Sequence, residues 1–158
     1  MTDVLTFAVE PADTPEARAC LQAYVAELDR VFPGGFTPDG CGVVDVRDLR
    51  PPHGGFVVAR LDARAVGCGG VRTLAPGVGE IKRMWLHPDA RGRGAGRRLL
   101  TACEDLSRSL GHRVVRLDTS RHLRAAVGLY VATGYVPIDR YNDNAAADHW
   151  FEKVLQPA

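Results

Sequence analysis

Met84 to Leu100 read MWLHPDARGRGAGRRLL, and no other stretch of the chain says as much. An apolar, strand-like run ends at Pro88. Gly92, Gly94 and Gly96 then alternate with Arg91, Arg93 and Ala95, and a helical stretch follows. The first N–H groups of a helix have no partner within it, and the helix dipole adds roughly half a positive charge there. Glycine lets the backbone approach an anion without a Cβ in the way. Arg91, Arg93 and Arg97 add charge, so the loop suits a phosphate or pyrophosphate.

Upstream, FVVARLD (56–62), AVGCGGVRTL (65–74) and VGEIKRMWLH (78–87) are strand-like runs. Short turns with Ala63-Arg64 and Pro76-Gly77 separate them, which predicts an antiparallel meander. Earlier still, VLTFAVE (4–10) reads as a strand. Thr14-Pro15-Glu16 then combines a capping residue with proline at the first helical position. Leu21, Tyr24, Val25, Leu28 and Phe32 recur at helical spacing, which predicts a helix of about 17 residues stopped by Pro33-Gly34-Gly35. Pro33 to Gly42 reads as a loop, with a short helix somewhere in 43–50. Downstream, a helix over about 94–110 is stopped by Gly111, VVRLDT (114–119) is a strand, and 121–133 is a second amphipathic helix closed by Gly134. Tyr135 to Ile138 and His149 to Leu155 supply two last strands. The expected fold is a single α/β domain over 1–158: an α+β mixed sheet flanked by helices, ordered strand, helix, three antiparallel strands, helix, strand, helix, two strands.

At 158 residues the chain is long enough for one domain with a real core. A hydrophobic fraction of 46% and a charged fraction of 25% are ordinary for a soluble globular protein. The net charge of +1 provides no global field for nucleic acid or an anionic membrane, so neither is an expected partner. Cys20, Cys41, Cys68 and Cys103 are far apart and lack metal-site spacing, and the five histidines do not cluster. Free thiols, no metal and a cytoplasmic location are the expectation. The N-terminus lacks the basic start and apolar core of a signal peptide, and no apolar run approaches the roughly 20 residues needed to span a bilayer.

Three phosphate-binding patterns compete for the glycine loop. Walker A requires a Lys-Ser/Thr pair that is missing here. The dinucleotide fingerprint G-x-G-x-x-G would take Gly92 and Gly94, but its third glycine falls on Arg97, and the repeated βαβ units it needs are absent. The third pattern, R/Q-x-x-G-x-G/A, matches Arg91-Gly92-Arg93-Gly94-Ala95-Gly96 in full. With EIKRMWLHP upstream and LYVATGY downstream, the chain resembles the GNAT superfamily of acetyl-CoA-dependent N-acetyltransferases. The resemblance runs over about residues 4–155 by element order and 78–135 by motif.

The resemblance implies a GNAT-like acyl-CoA N-acyltransferase fold with acetyl-CoA as cosubstrate. The strand before the loop would splay from its neighbour at Met84, Trp85 and Leu86, and the pantetheine arm would pair there with free backbone groups. Backbone N–H groups of Arg91, Gly92, Arg93, Gly94, Ala95, Gly96 and Arg97 would take the pyrophosphate. Acyl transfer to an amine sets three tasks: deprotonating the ammonium, steadying an oxyanion and protonating the leaving sulfur. The Leu86 N–H is the candidate oxyanion donor. Tyr130, in the position of the family's L-Y-x-x-x-G-[FY] tyrosine, is the candidate acid. An ordinary phenol pKa near 10 lies close to a thiol's value of about 8.5. Glu80 is the candidate base: on a regular strand, Glu80, Lys82 and Met84 share a face that could look into the cleft. Leu123 stands where many members have a cofactor-contacting Asn, and Arg124 is a neighbour that could replace that contact.

By the same resemblance the acceptor would lie across the sheet, between residues 24–42 and 139–150. Phe32 and Phe36 would be walls, and Glu27, Asp29 and Asp39 could hold an ammonium. Asp139, Arg140, Tyr141, Asp143 and His149 offer further polar groups. A small primary amine is the expected acceptor. Protein N-termini or lysines, or a CoA-binding module with little catalysis, are the alternatives. A homodimer is compatible with the family, although no residue pattern here specifies one.

Overall fold

The computed structural model describes residues 4–36 and 46–157. Asp39 and Cys41 lie outside this range, as does the C-terminal part of the expected 33–42 loop. In chain order the elements are β1 (Leu5–Val9), α1 (Pro15–Val31), a 3-10 turn (Val46–Asp48), β2 (Gly54–Leu61), β3 (Arg64–Ala75) and β4 (Val78–Leu86). A second 3-10 turn (Pro88–Ala90) leads to α2 (Ala95–Ser109), β5 (Val114–Thr119), α3 (Arg124–Ala132), β6 (Val136–Pro137) and β7 (His149–Val154). No helix among the described residues is long and apolar enough to cross a membrane.

The predicted order of elements is the observed one, and the local signals explain it. Thr14 Oγ1 accepts from the Ala17 N–H at 3.1 Å and Pro15 opens α1. The seven strands run β1-β2-β3-β4-β5-β7-β6 in one sheet. All neighbours are antiparallel except β4 and β5. Element ends differ where side chains or glycines intervene. The first hairpin turns at Asp62-Ala63, Asp62 taking φ +54, so Arg64 already belongs to β3. α3 starts at Arg124, because Ser120 to Leu123 form a turn in which Ser120 accepts from His122 and Leu123.

Each face of the sheet has its own core. Val57, Val71, Ile81, Val115 and Leu117 pack under α2 and α3 against Leu99, Leu100 and Tyr130. Phe56, Val58, Cys68 and Trp85 pack under α1 against Ala17, Cys20 and Leu21. The alternation Phe56, Val57, Val58 sends successive side chains to opposite layers. Each such fully buried side chain contributes about 1.5–3 kcal/mol. Cys20, Cys68 and Cys103 are free and buried. Burial pushes the Cys103 thiol up to about 12, which marks it as a packing residue.

Two irregularities shape the centre of the sheet. β4 and β5 pair only over Val78–Glu80 and Val114–Arg116, so β4 diverges from its parallel neighbour beyond Glu80. The β3–β4 register also slips between Cys68 and Gly70, where Arg83 adopts φ +57. A bulge of this kind breaks the alternation of a strand. Ile81 therefore joins the α2/α3 layer while Trp85 joins the α1 layer. The expectation that Glu80, Lys82 and Met84 share a face fails for Met84, which packs against the α2/α3 core.

Candidate active site

α2 begins without a cap. Its N-cap residue is Gly94, in the left-handed region at φ +73, with no side-chain hydrogen bond to the first turn and no acidic residue there. The first intrahelical bond runs from Arg98 N–H to the Gly94 carbonyl. Among the described residues, the N–H groups of Ala95, Gly96 and Arg97 have no recorded protein acceptor. A Cβ built at Gly92 or Gly94 would meet nothing within 4 Å, so the space in front of this turn is open. The turn meets the requirements of a pyrophosphate: free donors, a favourable dipole and room for close backbone approach. Arg91 has a different employment from its neighbours' amides. Its Nε donates to the Leu86 carbonyl at 2.9 Å and its guanidinium pairs with Glu27 at 2.5 Å, tying the loop to β4 and α1.

The divergence of β4 from β5 opens a cleft of about 110 Å³ through the sheet. α1 lines one side with Tyr24, Val25, Leu28 and Phe32; α3 and the turn before it line the other with Leu123, Ala126 and Tyr130. Ile81, Lys82, Arg83 and Met84 come from β4, and Asp118 to Ser120 from the end of β5. Phe36 stands edge-on to Phe32 at 5.6 Å, and both line this cleft. Leu123 presents an apolar face, and Arg124 is exposed at the start of α3.

Tyr130 is 6% exposed and faces the cleft. Burial first, then the nearby Tyr24 phenol, Cys103 and Asp118, raise its pKa well above that of an ordinary tyrosine. Burial, with Asp118 next, similarly raises the Tyr24 pKa, and Arg83 opposes the shift. Both phenols therefore hold their protons at neutral pH.

Glu80 is fully buried and does not line the cleft. Its carboxylate accepts from Arg72 Nε at 2.7 Å and the Tyr141 hydroxyl at 2.6 Å, with Lys82 Nζ 3.8 Å away. Asp118 is the carboxylate that reaches the cleft. It accepts from Lys82 Nζ at 2.8 and 2.9 Å and from Asn142 Nδ2 at 2.5 Å, and Asn142 in turn accepts from Trp150 Nε1 at 2.9 Å. Sequence reasoning missed Asp118 and Tyr24. The available signal was alternation: in VVRLDT, Arg116 and Asp118 share a face, beside the face of β4 that carries Glu80 and Lys82. Of the other expected acceptor groups, Glu27 is held by Arg91, and Asp29 accepts from the Phe36 N–H at 2.8 Å. Arg140 lies over the Trp150 ring, 5.4 Å from its centroid.

The sequence model of the acetyltransferase (GNAT) family matches residues 21–135, most of the chain. The chain belongs to this family. A curated relative, the IAA acetyltransferase of Azospirillum brasilense, is 35% identical over 112 residues, covering 70% of this chain and 73% of that one. An uncharacterized N-acetyltransferase of Schizosaccharomyces pombe is 32% identical over 138 residues, covering 85% and 83%. Among solved structures, a Klebsiella pneumoniae protein classed with the acyl-CoA N-acyltransferases superposes with a TM-score of 0.80 at 26% identity, covering 96% of this chain and 98% of that one. This GNAT protein is an acyl-CoA-dependent acyltransferase, and the uncapped turn of α2 and the split between β4 and β5 are where its fold departs from self-sufficient backbone pairing.

Proposed function

We propose that this GNAT protein transfers an acetyl group from acetyl-CoA to the primary amine of a small molecule, by direct attack within a ternary complex. The observation that carries this reading is the uncapped first turn of α2, which follows the β4 strand whose residues line a cleft with Tyr130. The α2 turn and its glycines would hold the pyrophosphate. The unpaired edge of β4 over Met84, Trp85 and Leu86 would hold the pantetheine arm, with the Leu86 N–H aimed at the reacting carbonyl. When bound, acetyl-CoA supplies an activated acyl thioester.

Tyr130 supplies the proton for the leaving sulfur. Burial makes this hydroxyl a weaker acid than the ordinary phenol expected from the sequence, so its contribution is a hydrogen bond to the charge developing on sulfur, with the proton following as the thiolate leaves. Glu80 takes the proton from the amine only through an intermediary, because it has no surface in the cleft. Lys82 is the side chain that lies 3.8 Å from Glu80 and also lines the cleft.

Two measurements test this reading. Titration calorimetry should detect acetyl-CoA binding, and silence at millimolar cosubstrate would end the proposal. Tyr130→Phe should lower kcat by about 100-fold, at the lower end of general-acid contributions, with acetyl-CoA affinity retained. An unchanged kcat would remove Tyr130 from the chemistry.

A further inference from the structure

We propose that Cys20 and Cys68 are a redox pair: a hydroperoxide closes them to a disulfide that ties α1 to β3 beside the cleft and weakens the hold on acetyl-CoA. The effect on acetyl-CoA rests on the cosubstrate site proposed above; the disulfide itself does not.

The three described cysteines are not alike. Cys103 belongs to the core layer under α2 and α3, where burial pushes its thiol up to about 12. Cys20 on α1 and Cys68 on β3 share the opposite layer, and their thiols are hydrogen-bonding partners. A disulfide requires two sulfurs to close to about 2.05 Å, and this pair is already in contact. The contact also makes the two thiols unequal. The hydrogen bond from Cys68 lowers the Cys20 pKa, although burial opposes it, while the same bond and then burial raise that of Cys68. The thiolate is the attacking form, so Cys20 reacts first and Cys68 resolves. Cys20 is 3% exposed and Cys68 fully buried, which restricts the oxidant to a small one.

The steps balance with hydrogen peroxide as oxidant. The Cys20 sulfur attacks one peroxide oxygen; an S–O bond forms, the O–O bond breaks, and hydroxide leaves to become water. The Cys68 sulfur then attacks the sulfenic acid on Cys20. The S–S bond forms, the S–O bond breaks, and the hydroxyl leaves with the Cys68 proton as a second water. The two thiols together lose two electrons, and the peroxide gains them.

The disulfide would remove two hydrogen bonds at the centre of the sheet. Cys20 Sγ donates to the Gly67 carbonyl at 3.7 Å, and Cys68 Sγ donates to the Arg83 carbonyl at 3.4 Å. Arg83 is the bulge residue at φ +57, a conformation that costs a non-glycine residue about 1–2 kcal/mol, so its surroundings must hold it. A disulfide has no S–H to give. Met84, Trp85 and Leu86 follow the bulge directly, and Trp85 is paired with Cys68 across the ladder. These are the residues whose edge the proposed function gives to the pantetheine arm. On α1, Tyr24 lies one turn beyond Cys20 on the same face and lines the cleft, and the Cys68 thiol contributes to the raised pKa of its hydroxyl.

The test treats the full chain with hydrogen peroxide, caps the remaining thiols with iodoacetamide and reads a tryptic digest by mass spectrometry. Cleavage after arginine places Cys20 in Ala19–Arg30 and Cys68 in Ala65–Arg72. These two peptides should appear joined, less two hydrogen atoms, and separate on adding dithiothreitol. Calorimetry should show acetyl-CoA bound about three- to tenfold more weakly by the oxidised protein, the scale of one lost hydrogen bond, with recovery in dithiothreitol. Cys20→Ala should bind acetyl-CoA like the reduced parent before and after peroxide. Cys68→Ala should show the weaker binding without any oxidant; if it does not fold, Cys20→Ala still carries the test. Three outcomes would overturn the inference while leaving the function reading in place: a bridge through Cys41 or Cys103 instead, oxidation of Cys20 to the sulfinic acid with no bridge, or a Cys20–Cys68 bridge that leaves affinity unchanged. Failure of the reduced protein to bind acetyl-CoA would overturn the function reading and the regulatory effect together.

Discussion

At its C-terminal end α2 is closed by the protein itself. The Leu110 N–H bonds back to the carbonyls of Leu106 and Ser107, and Gly111 reverses the chain at φ +88. His112 then docks between two hydroxyls, Nδ1 2.7 Å from Ser107 Oγ and Nε2 2.8 Å from Thr73 Oγ1. At the N-terminal end, Gly94 offers no side chain, no acid stands in the first turn, and the space in front is empty. Every helix starts with unpartnered ends, and the protein has finished only one of these two. The difference separates a terminus closed by packing from one left open, where the proposed function places the pyrophosphate.

The sharpest way to break this comparison is at the closed end. A Cβ at Gly79 would lie 2.3 Å from His112 Nδ1 and 2.5 Å from Ser107 Oγ. Neither atom is a flexible tip, because each holds the other by a hydrogen bond. Gly79→Ala should therefore cost about 3 kcal/mol in denaturant-unfolding experiments, the upper range for overpacking. A loss below about 0.5 kcal/mol, the level of an ordinary surface change, would mean that this end is not tightly closed after all.

Next comes a matched pair of glycines in the same backbone region. Gly94 and Gly111 both have positive φ, and a Cβ at either would meet nothing within 4 Å. Valine at either position carries the same backbone penalty of about 1–2 kcal/mol. Only Gly94→Val should also weaken acetyl-CoA binding, by about tenfold or more, because the new side chain stands where the pyrophosphate approaches. Calorimetry on the two variants separates strain from obstruction. An equal loss of affinity in both would assign the effect to strain transmitted along α2.

This contrast also explains what the sequence disclosed. The order of strands and helices was legible because periodicity, caps and glycine stops are local. The open end of α2 was legible for the same reason: Arg91 to Gly96 is one contiguous stretch that runs into the uncapped turn. The charged side of the cleft was not. Asp118 looks like an ordinary member of an alternating strand until β5 is placed beside β4 and Lys82 reaches across to it. Glu80 looked like a residue of the cleft because it shares a face with Lys82, but Tyr141, 61 residues away in sequence, and Arg72 occupy its carboxylate; the face expected for Met84 is what the bulge changes. The register slip at Arg83 depends on the β3–β4 pairing, which joins residues distant in sequence. Arg91 illustrates the same limit: the motif identifies its place in the loop, but its partner Glu27 is 64 residues away on α1.

The smallest effect is the pH dependence of the closed end, and its sign follows from burial. Desolvation lowers the His112 pKa below its ordinary value, since taking a charged imidazolium out of water is unfavourable. The groups around it from β3 and α2 are the hydroxyls of Thr73 and Ser107, and β4 contributes Gly79, so among the described residues no carboxylate is hydrogen-bonded to the ring to reverse the shift. Above the unfolded pKa of about 6.5, His112 is neutral in both states and contributes no slope. Below it, the unfolded chain takes up a proton that the folded one refuses, so stability falls as pH falls. The slope is at most about 1.4 kcal/mol per pH unit and levels off once the pH passes below the depressed folded value. Unfolding free energies measured from pH 7.5 down to 5 should show this decline, and His112→Gln should flatten that component while lowering stability at all pH values. If the variant declines as steeply as the parent, the acid sensitivity belongs to other groups, and closure of this end depends on shape alone.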